Sequence, residues 1–423
     1  MLALTPLIFF VVVYLGVSII SGDFYKVPIA VAFLFTAIVA ICVSKGTLKH
    51  RIKVFSRGGG SENMVLMIWI FILAGAFANS AKEMGSINDM VNLTLSLVPS
   101  DTIYAGLFLA SAVISLSIGT SVGTIVALMP IAVGVASAIG AGVPYVAAIV
   151  VGGAFFGDNL SFISDTTVCA TQSQGCQMSD KFKTNLRIAA PAAMLVLIYY
   201  AVVGMGVDSP GALPSANILK VLPYVVVLIT AMLGVNVLVV LALGILLTGI
   251  VGLCYGDYTI TTWFKALSEG VMGMGELIII TMLAGGVLEV IRANGGIKFL
   301  MDKMLSHVHS ARTAELSIAA LVSVVDVCTA NNTVAIITVS GIARDISHRF
   351  NLDPRRVASI LDTFSCIMQG IIPYGAQMLM GAALAGISPV EIIPHLYYPY
   401  VLLLFALGAI VFGKRKHGRV SLS

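Results

Sequence analysis

Residues 156–167 read Phe-Gly-Asp-Asn-Leu-Ser-Phe-Ile-Ser-Asp-Thr-Thr. Two carboxylates (Asp158, Asp165), one amide (Asn159) and four hydroxyls (Ser161, Ser164, Thr166, Thr167) fall within eleven residues. Carboxylate, hydroxyl and amide oxygens ligate a hard cation such as Na⁺, not a soft metal. Burial disfavours the charged form of a carboxylic acid, so a buried acid is also a proton site. A group that holds either H⁺ or Na⁺, but not both, is the minimum needed to exchange them. Asp158 and Asp165 are the expected Na⁺ ligands, with the other five residues as further oxygen donors or their supports. Gly157 and Asn159 favour an interrupted helix, which frees backbone carbonyls for the same task.

The elements that carry this segment follow from composition. Of 423 residues, 58% are hydrophobic and 10% charged, too few charges to coat a soluble protein of this size. Soluble enzymes, disordered scaffolds and nucleic-acid binders with a basic face are thereby excluded. Near-uninterrupted apolar runs cover residues 4–20, 27–44, 64–81, 186–207, 219–233, 237–254 and 396–412. Such runs are transmembrane helices, and no alternating segments of about ten residues suggest an outer-membrane barrel. The first run lacks a basic leader and a cleavage site, so it reads as a first membrane helix. The segment around Asp158 is therefore expected to cross the bilayer once, over 144–172. A charge there costs about 2.5–3.5 kcal/mol unless it is satisfied.

The two halves of the chain repeat. Thr36-Ala-Ile-Val-Ala-Ile-Cys42 faces Thr248-Gly-Ile-Val-Gly-Leu-Cys254, Leu73-Ala-Gly75 faces Leu283-Ala-Gly285, and Gly85 faces Gly295. Thr124 faces Thr333, Pro144 faces Pro354 and Pro191 faces Pro399, so the offset stays between 208 and 212. The expected organisation is one repeat over 1–207, a linker over 208–215 with Pro210, Gly211 and Pro214, and a second repeat over 216–423.

Loop charge orients the halves, because Lys and Arg gather on the cytoplasmic side. Residues 45–57 carry five Lys/Arg against one in their repeat mate 255–268, and 82–101 carry one against four in 292–312. Residues 140–143 carry none against four in 344–356, and 178–187 carry three against none in 386–396. All four pairs are opposed, as inverted topology requires. Both termini, including Lys414-Arg-Lys416, then lie in the cytoplasm. Residues 102–139 must enter and return, as two crossings or as a re-entrant hairpin. The turn there is Gly119-Thr-Ser-Val-Gly-Thr124, and its mate is Cys328-Thr-Ala-Asn-Asn-Thr333. Glycines, hydroxyls and amides suit a break that lines a polar cavity. Ser121, Thr124, Asn331, Asn332 and Thr333 are therefore expected to close the site.

The mate of the acid-bearing segment is Cys366-Ile-Met-Gln-Gly-Ile-Ile-Pro-Tyr-Gly-Ala-Gln377. At an offset of 210, Asp158 faces Met368 and Asp165 faces Gly375. This half keeps the break (Gly370, Pro373, Gly375) and the polar Gln369 and Gln377 but drops both acids. Its own intramembrane acids are Asp326 and Asp362, with Glu276 and Glu289 weaker candidates. The six cysteines show no metal spacing and there is no P-loop, so neither a resident metal nor a cofactor is expected.

The Gly157-Asp-Asn…Ser-Asp-Thr-Thr167 run, followed by Lys181 and Ile188-Ala-Ala-Pro191, resembles the NhaC-type sodium/proton antiporter family of the ion-transporter superfamily. The likeness extends over most of the chain, the Thr329-Ala-Asn-Asn-Thr333 turn included. It implies cation-coupled secondary transport, with Asp158, Asp165 and the two turns near the substrate. The expected fold is an all-α polytopic membrane protein with two inverted-topology repeats, each holding discontinuous helices and a hairpin or helix pair. The expected activity is Na⁺/H⁺ antiport by alternating access, with Gln369 also closing the site. The alternative is a Na⁺- or H⁺-coupled carrier of a small organic acid or amino acid, disfavoured because no intramembrane Lys or Arg offers a counter-charge. An intramembrane aspartyl protease with Asp158 and Asp362 as its dyad lacks a glycine at Phe155. A channel lacks a filter or charged ring. Expected partners are a small cation or solute, the lipid bilayer and, as an option, a second copy of the chain, but no nucleic acid. The expected location is a bacterial inner (cytoplasmic) membrane.

Overall fold

The computed structural model describes residues 4–21, 29–161, 164–207, 215–233, 235–305 and 308–413. The expected linker core (208–214), Phe162, Ile163, His307 and the basic tail from Lys414 lie outside the described residues. Helices in the first half are α1 (Thr5–Ser21), α2 (Ile29–Val43), α3 (Leu48–Gly59), α4 (Glu62–Glu83), α5 (Ser86–Leu97), α6 (Ile103–Ile118), α7 (Ser121–Ala138), α8 (Val143–Leu160), α9 (Asp165–Gln174) and α10 (Met178–Gly204). In the second half follow α11 (Ile218–Met232), α12 (Val237–Tyr255), α13 (Ile260–Gly273), α14 (Gly275–Ala293), α15 (Gly296–Leu305), α16 (Ala311–Thr329), α17 (Asn332–Phe350), α18 (Pro354–Ile371), α19 (Ala376–Ala385), the short α20 (Pro389–Ile392) and α21 (Tyr397–Phe412). No strand occurs among the described residues, so the all-α expectation holds.

Eight stretches among the described residues are long and apolar enough to cross a membrane, and Pro389–His395 with Tyr397–Phe412 forms a further pair bent by 54°. The 32-residue stretch Val143–Gln174, which holds α8 and α9, is one of them by length and composition, where a crossing is expected over 144–172. Three of the expected spans form helices that fall below that length: α1, α2 and α11 have 17, 15 and 15 residues.

Backbone conformation repeats along the chain. All ten described residues with left-handed φ pair off at offsets of 210 or 211: Gly46 with Gly256, Gly85 with Gly295, Gly119 with Ala330, Gly140 with Asn351 and Gly175 with Gly386. Packing between the halves is reciprocal: α3 lies along α14 while α13 lies along α4, and α9 touches α17 while α19 touches α7. Glycines permit the closest of these approaches. A Cβ on Gly75 would strike the carbonyl of Gly270, and one on Gly270 the carbonyl of Gly75. Gly58 and Gly285 obstruct each other in the same way on the α3–α14 contact. Small residues at membrane helix contacts gain dispersion that bulkier side chains would forbid.

The core of each half is a hairpin packed on a broken helix. In the first half α6 and α7 pack on α8, and in the second α16 and α17 pack on α18. Residues 102–139 thus form a helix hairpin, as do their mates. Val146–Phe155 of α8 are entirely buried, which is why this helix is apolar on every side until its last turn.

Candidate ion-binding site

Two hairpin tips and two helix breaks meet at this site. At the first tip α6 ends where Gly119 turns left-handed (φ +75), Thr120 is extended and α7 begins. At the second tip Ala330 takes the same role at φ +49, and Asn331 caps α17 by accepting from the Val334 amide at 2.9 Å. An alanine held in this region costs about 1–2 kcal/mol, strain confined to the site.

Each break has its own local cause. Helix α8 stops at Leu160, and Ser164 starts α9 by accepting from the Thr167 amide at 3.3 Å. Helix α18 stops at Ile371 because Pro373 drives the preceding Ile372 out of the helical region. Helices α8 and α18 both have 18 residues. By position within them Asp158 matches Gln369, not Met368, and Asp165 matches Ala376, the first residue of α19. The offset at the breaks is 211, one more than the spacing of Pro144 and Pro354 suggests.

A hydrogen-bonded chain joins the halves. Ser121 Oγ donates to Asp158 Oδ2 at 2.7 Å, and Gln377 Nε2 donates to Ser121 Oγ at 3.0 Å. Gln369 Nε2 in turn donates to Gln377 Oε1 at 3.0 Å and to the Ala330 carbonyl at 3.1 Å. These residues face a cavity of about 130 Å³, lined also by Met67, Gly119, Thr120, Asp165, Thr166, Asn331, Asn332 and Thr333. That volume holds several waters or a partly hydrated cation. Asp158 is 6% exposed, whereas Asp165, in the first turn of α9, is an exposed residue.

The remaining expected residues do not line this cavity. Thr124 Oγ1 donates to its own helix at the Thr120 carbonyl, 3.1 Å away, and Ser161 Oγ to the Leu116 carbonyl at 3.1 Å. Ser164 serves as the α9 cap. Asp326 is fully buried in α16, and neither carboxylate oxygen has a hydrogen-bond partner among the described residues. Asn159, Thr167 and Asp362 belong to a second, deeper cluster. There Lys181 Nζ pairs with Asp362 Oδ2 at 2.5 Å and donates to the Asn159 carbonyl at 2.7 Å and to Thr167 Oγ1 at 2.6 Å. Asn185 Nδ2 donates to Asp362 Oδ2 at 3.1 Å and to the Asn159 carbonyl at 3.1 Å.

Lys181 corrects the expectation that no basic residue lies within the membrane-embedded core. Its charge counted towards a cytoplasmic loop, yet its side chain is 0% exposed. Loop counting misses it because a lysine near a helix start can point inward as readily as outward. A signal was present: Lys181, Asn185 and Ala189 recur at a spacing of four, one face of α10, and all three are buried.

A helical membrane protein whose hairpins and broken helices bring acids and amides around a polar cavity is built as a secondary transporter. The chain belongs to the Na⁺/H⁺ antiporter family, which matches residues 2–205 and 212–414. It is 25% identical over 382 residues to the Na⁺/H⁺ antiporter NhaC of Bacillus subtilis (strain 168), covering 81% of this chain and 82% of that one. It is 23% identical over 391 residues to the malate-2H⁺/Na⁺-lactate antiporter of the same organism, covering 84% and 82%. Among solved structures, the YdaH transporter of Alcanivorax borkumensis aligns at a TM-score of 0.41 with 11% identity, covering 90% of this chain and 95% of that one. The protein is thus a multi-pass membrane transporter of the antiporter class.

Proposed function

We propose that the protein exchanges Na⁺ for H⁺, with the Asp158 carboxylate as the group that holds one ion or the other. The observation that carries this is a buried acid on a cavity whose polar lining is hydroxyls, amides and a second carboxylate, beside the apolar Met67, Val122 and Ala376. Asp165 stands at the mouth of the same cavity and supplies a second, hydrated oxygen ligand. Thr166, Asn331, Asn332, Thr333 and Gln369 complete the polar lining, with Ser121 and Gln377 fixing the orientation of Asp158.

Alternating access follows from rocking of two inverted repeats about this midplane site. The paired left-handed residues and the reciprocal α3–α14 and α4–α13 packing support that reading, and the opposed loop charges favour cytoplasmic termini. The named relatives include a carrier that exchanges organic acids, so a small carboxylate is the second reading. It is disfavoured here by a cavity of about 130 Å³ and by Lys181, whose ammonium is spent on Asp362. Proteoliposomes loaded with a pH dye test the proposal. Imposed Na⁺ gradients should move protons the opposite way, and no Na⁺-linked pH change in a preparation that transports malate or lactate would overturn it.

A further inference from the structure

The Lys181 ammonium sits in an oxygen cage of the kind that binds a free cation. Its three protons meet a carboxylate (Asp362 Oδ2), a peptide carbonyl (Asn159) and a hydroxyl (Thr167), all at 2.5–2.7 Å. The Asn159 carbonyl is available because α8 ends one residue later and leaves its last carbonyls without helical partners. The cage also holds more oxygen than an ammonium can use. Asp362 Oδ1 and Asn185 Oδ1 are buried with no hydrogen-bond partner among the described residues, and an ammonium has only three donors. The cage adjoins the open cavity through consecutive residues. Asp158 turns its carboxylate to Ser121 and the cavity, while Asn159 turns its carbonyl to the cage.

We propose that Lys181 is a tethered cation that fills the second of two adjacent cation sites, so that the carrier loads one free cation where the oxygens would accept two. This deepens the reading of the chain as a cation carrier and rests on it. With a neutral side chain at 181, Asp362 needs a new positive partner, and Na⁺ is the hard cation its oxygens suit.

The test compares wild type with Lys181→Ala after detergent extraction in NaCl or in choline chloride. Wild type should be stable in both salts, and its stabilisation by Na⁺ should rise with ln[Na⁺] at a limiting slope of about one ion. Lys181→Ala should be monodisperse in NaCl and aggregate in choline chloride, with a limiting slope of about two ions. Equilibrium dialysis with radioactive Na⁺ should find twice as many ions bound to the variant as to wild type. The double variant Lys181→Met/Asp362→Asn removes the cage charge and should lose both the salt requirement and the extra ion. Aggregation of Lys181→Ala in both salts, or a Na⁺ dependence matching wild type, overturns the proposal. Wild type without any Na⁺ response, beside a Na⁺-dependent Lys181→Ala, would strike the antiport reading and leave the cage standing.

Discussion

Replacing Asp158 by asparagine removes one charge and almost no volume, so it isolates the electrostatic part of ion binding. The group is 6% exposed and accepts from Ser121 at 2.7 Å, a bond that an amide oxygen can keep. A Na⁺ about 4 Å from the carboxylate gains about 4 kcal/mol at an effective dielectric of about 20. Since about 1.4 kcal/mol is a factor of ten, Asp158→Asn should raise the half-saturating Na⁺ concentration roughly a thousandfold. In dye-loaded proteoliposomes this reads as no Na⁺-driven proton movement within the usable range, while the melting curve in Na⁺-free buffer stays near wild type. Asp165 supplies the contrast. Water screens an exposed carboxylate, so Asp165→Asn should cost roughly fivefold or less. An Asp158→Asn variant whose half-saturation stays within about tenfold of wild type refutes the assignment. So does a larger loss for Asp165→Asn than for Asp158→Asn.

Gly75→Ala and Gly285→Ala should each destabilise the protein by about 1–3 kcal/mol through overpacking. Gly408→Ala, where a Cβ meets nothing within 4 Å, should leave thermal unfolding unchanged or slightly raised, and equal behaviour of all three would refute the close approaches. Arg356 Nη2 donates to Glu315 Oε2 at 3.0 Å and to the Ala409 carbonyl at 2.7 Å, tying α16, α18 and α21 together. Arg356→Met removes a charge-assisted partner of the buried Glu315 and should cost about 1.5–3 kcal/mol, and Arg356→Met with Glu315→Gln should recover part of it in the same unfolding assay. Asp353 caps α18 outside the membrane span and accepts from the Arg355 amide at 3.0 Å. Burial pushes its carboxyl up, but the side-chain and backbone hydrogen bonds and charge of Arg355 outweigh that and hold it below the usual range. Its contribution is therefore present above the unfolded value of about 3.9 and lost as pH falls through the lower folded value. Asp353→Ala should cost about 1 kcal/mol at neutral pH. A cost that persists undiminished at the acid end of a pH series of melting curves would count against this.

Much of the architecture was legible without coordinates because a bilayer writes its demands into composition. Apolar runs mark the spans, and polar residues survive inside them only where they are satisfied, which singled out the segment from Gly157 to Thr167. The offset between the halves was legible to within one residue, since left-handed backbone recurs at 210 or 211, but its register slipped at the breaks. Offsets taken from identical residues average over loops, while helix ends depend on caps, and the caps put Asp158 level with Gln369. Helix ends were legible to within a residue or two: α11, expected over 219–233, is Ile218–Met232, and α2, expected over 27–44, is described over Ile29–Val43.

Sequence by itself determined that this is a many-span helical carrier with one acid-bearing break in its first half, between α8 and α9, since hydrophobicity and misplaced charge are local properties. Only the tertiary structure decided how those polar groups divide. Successive residues of a helix point about 100° apart, so Asp158 and Asn159, inseparable in sequence, serve different pockets. Whether a lysine ends in water or against an aspartate from the other half depends on which helices pack together. Asp362 becomes the partner of Lys181 only when α10 and α18 meet, and no local pattern contains that contact.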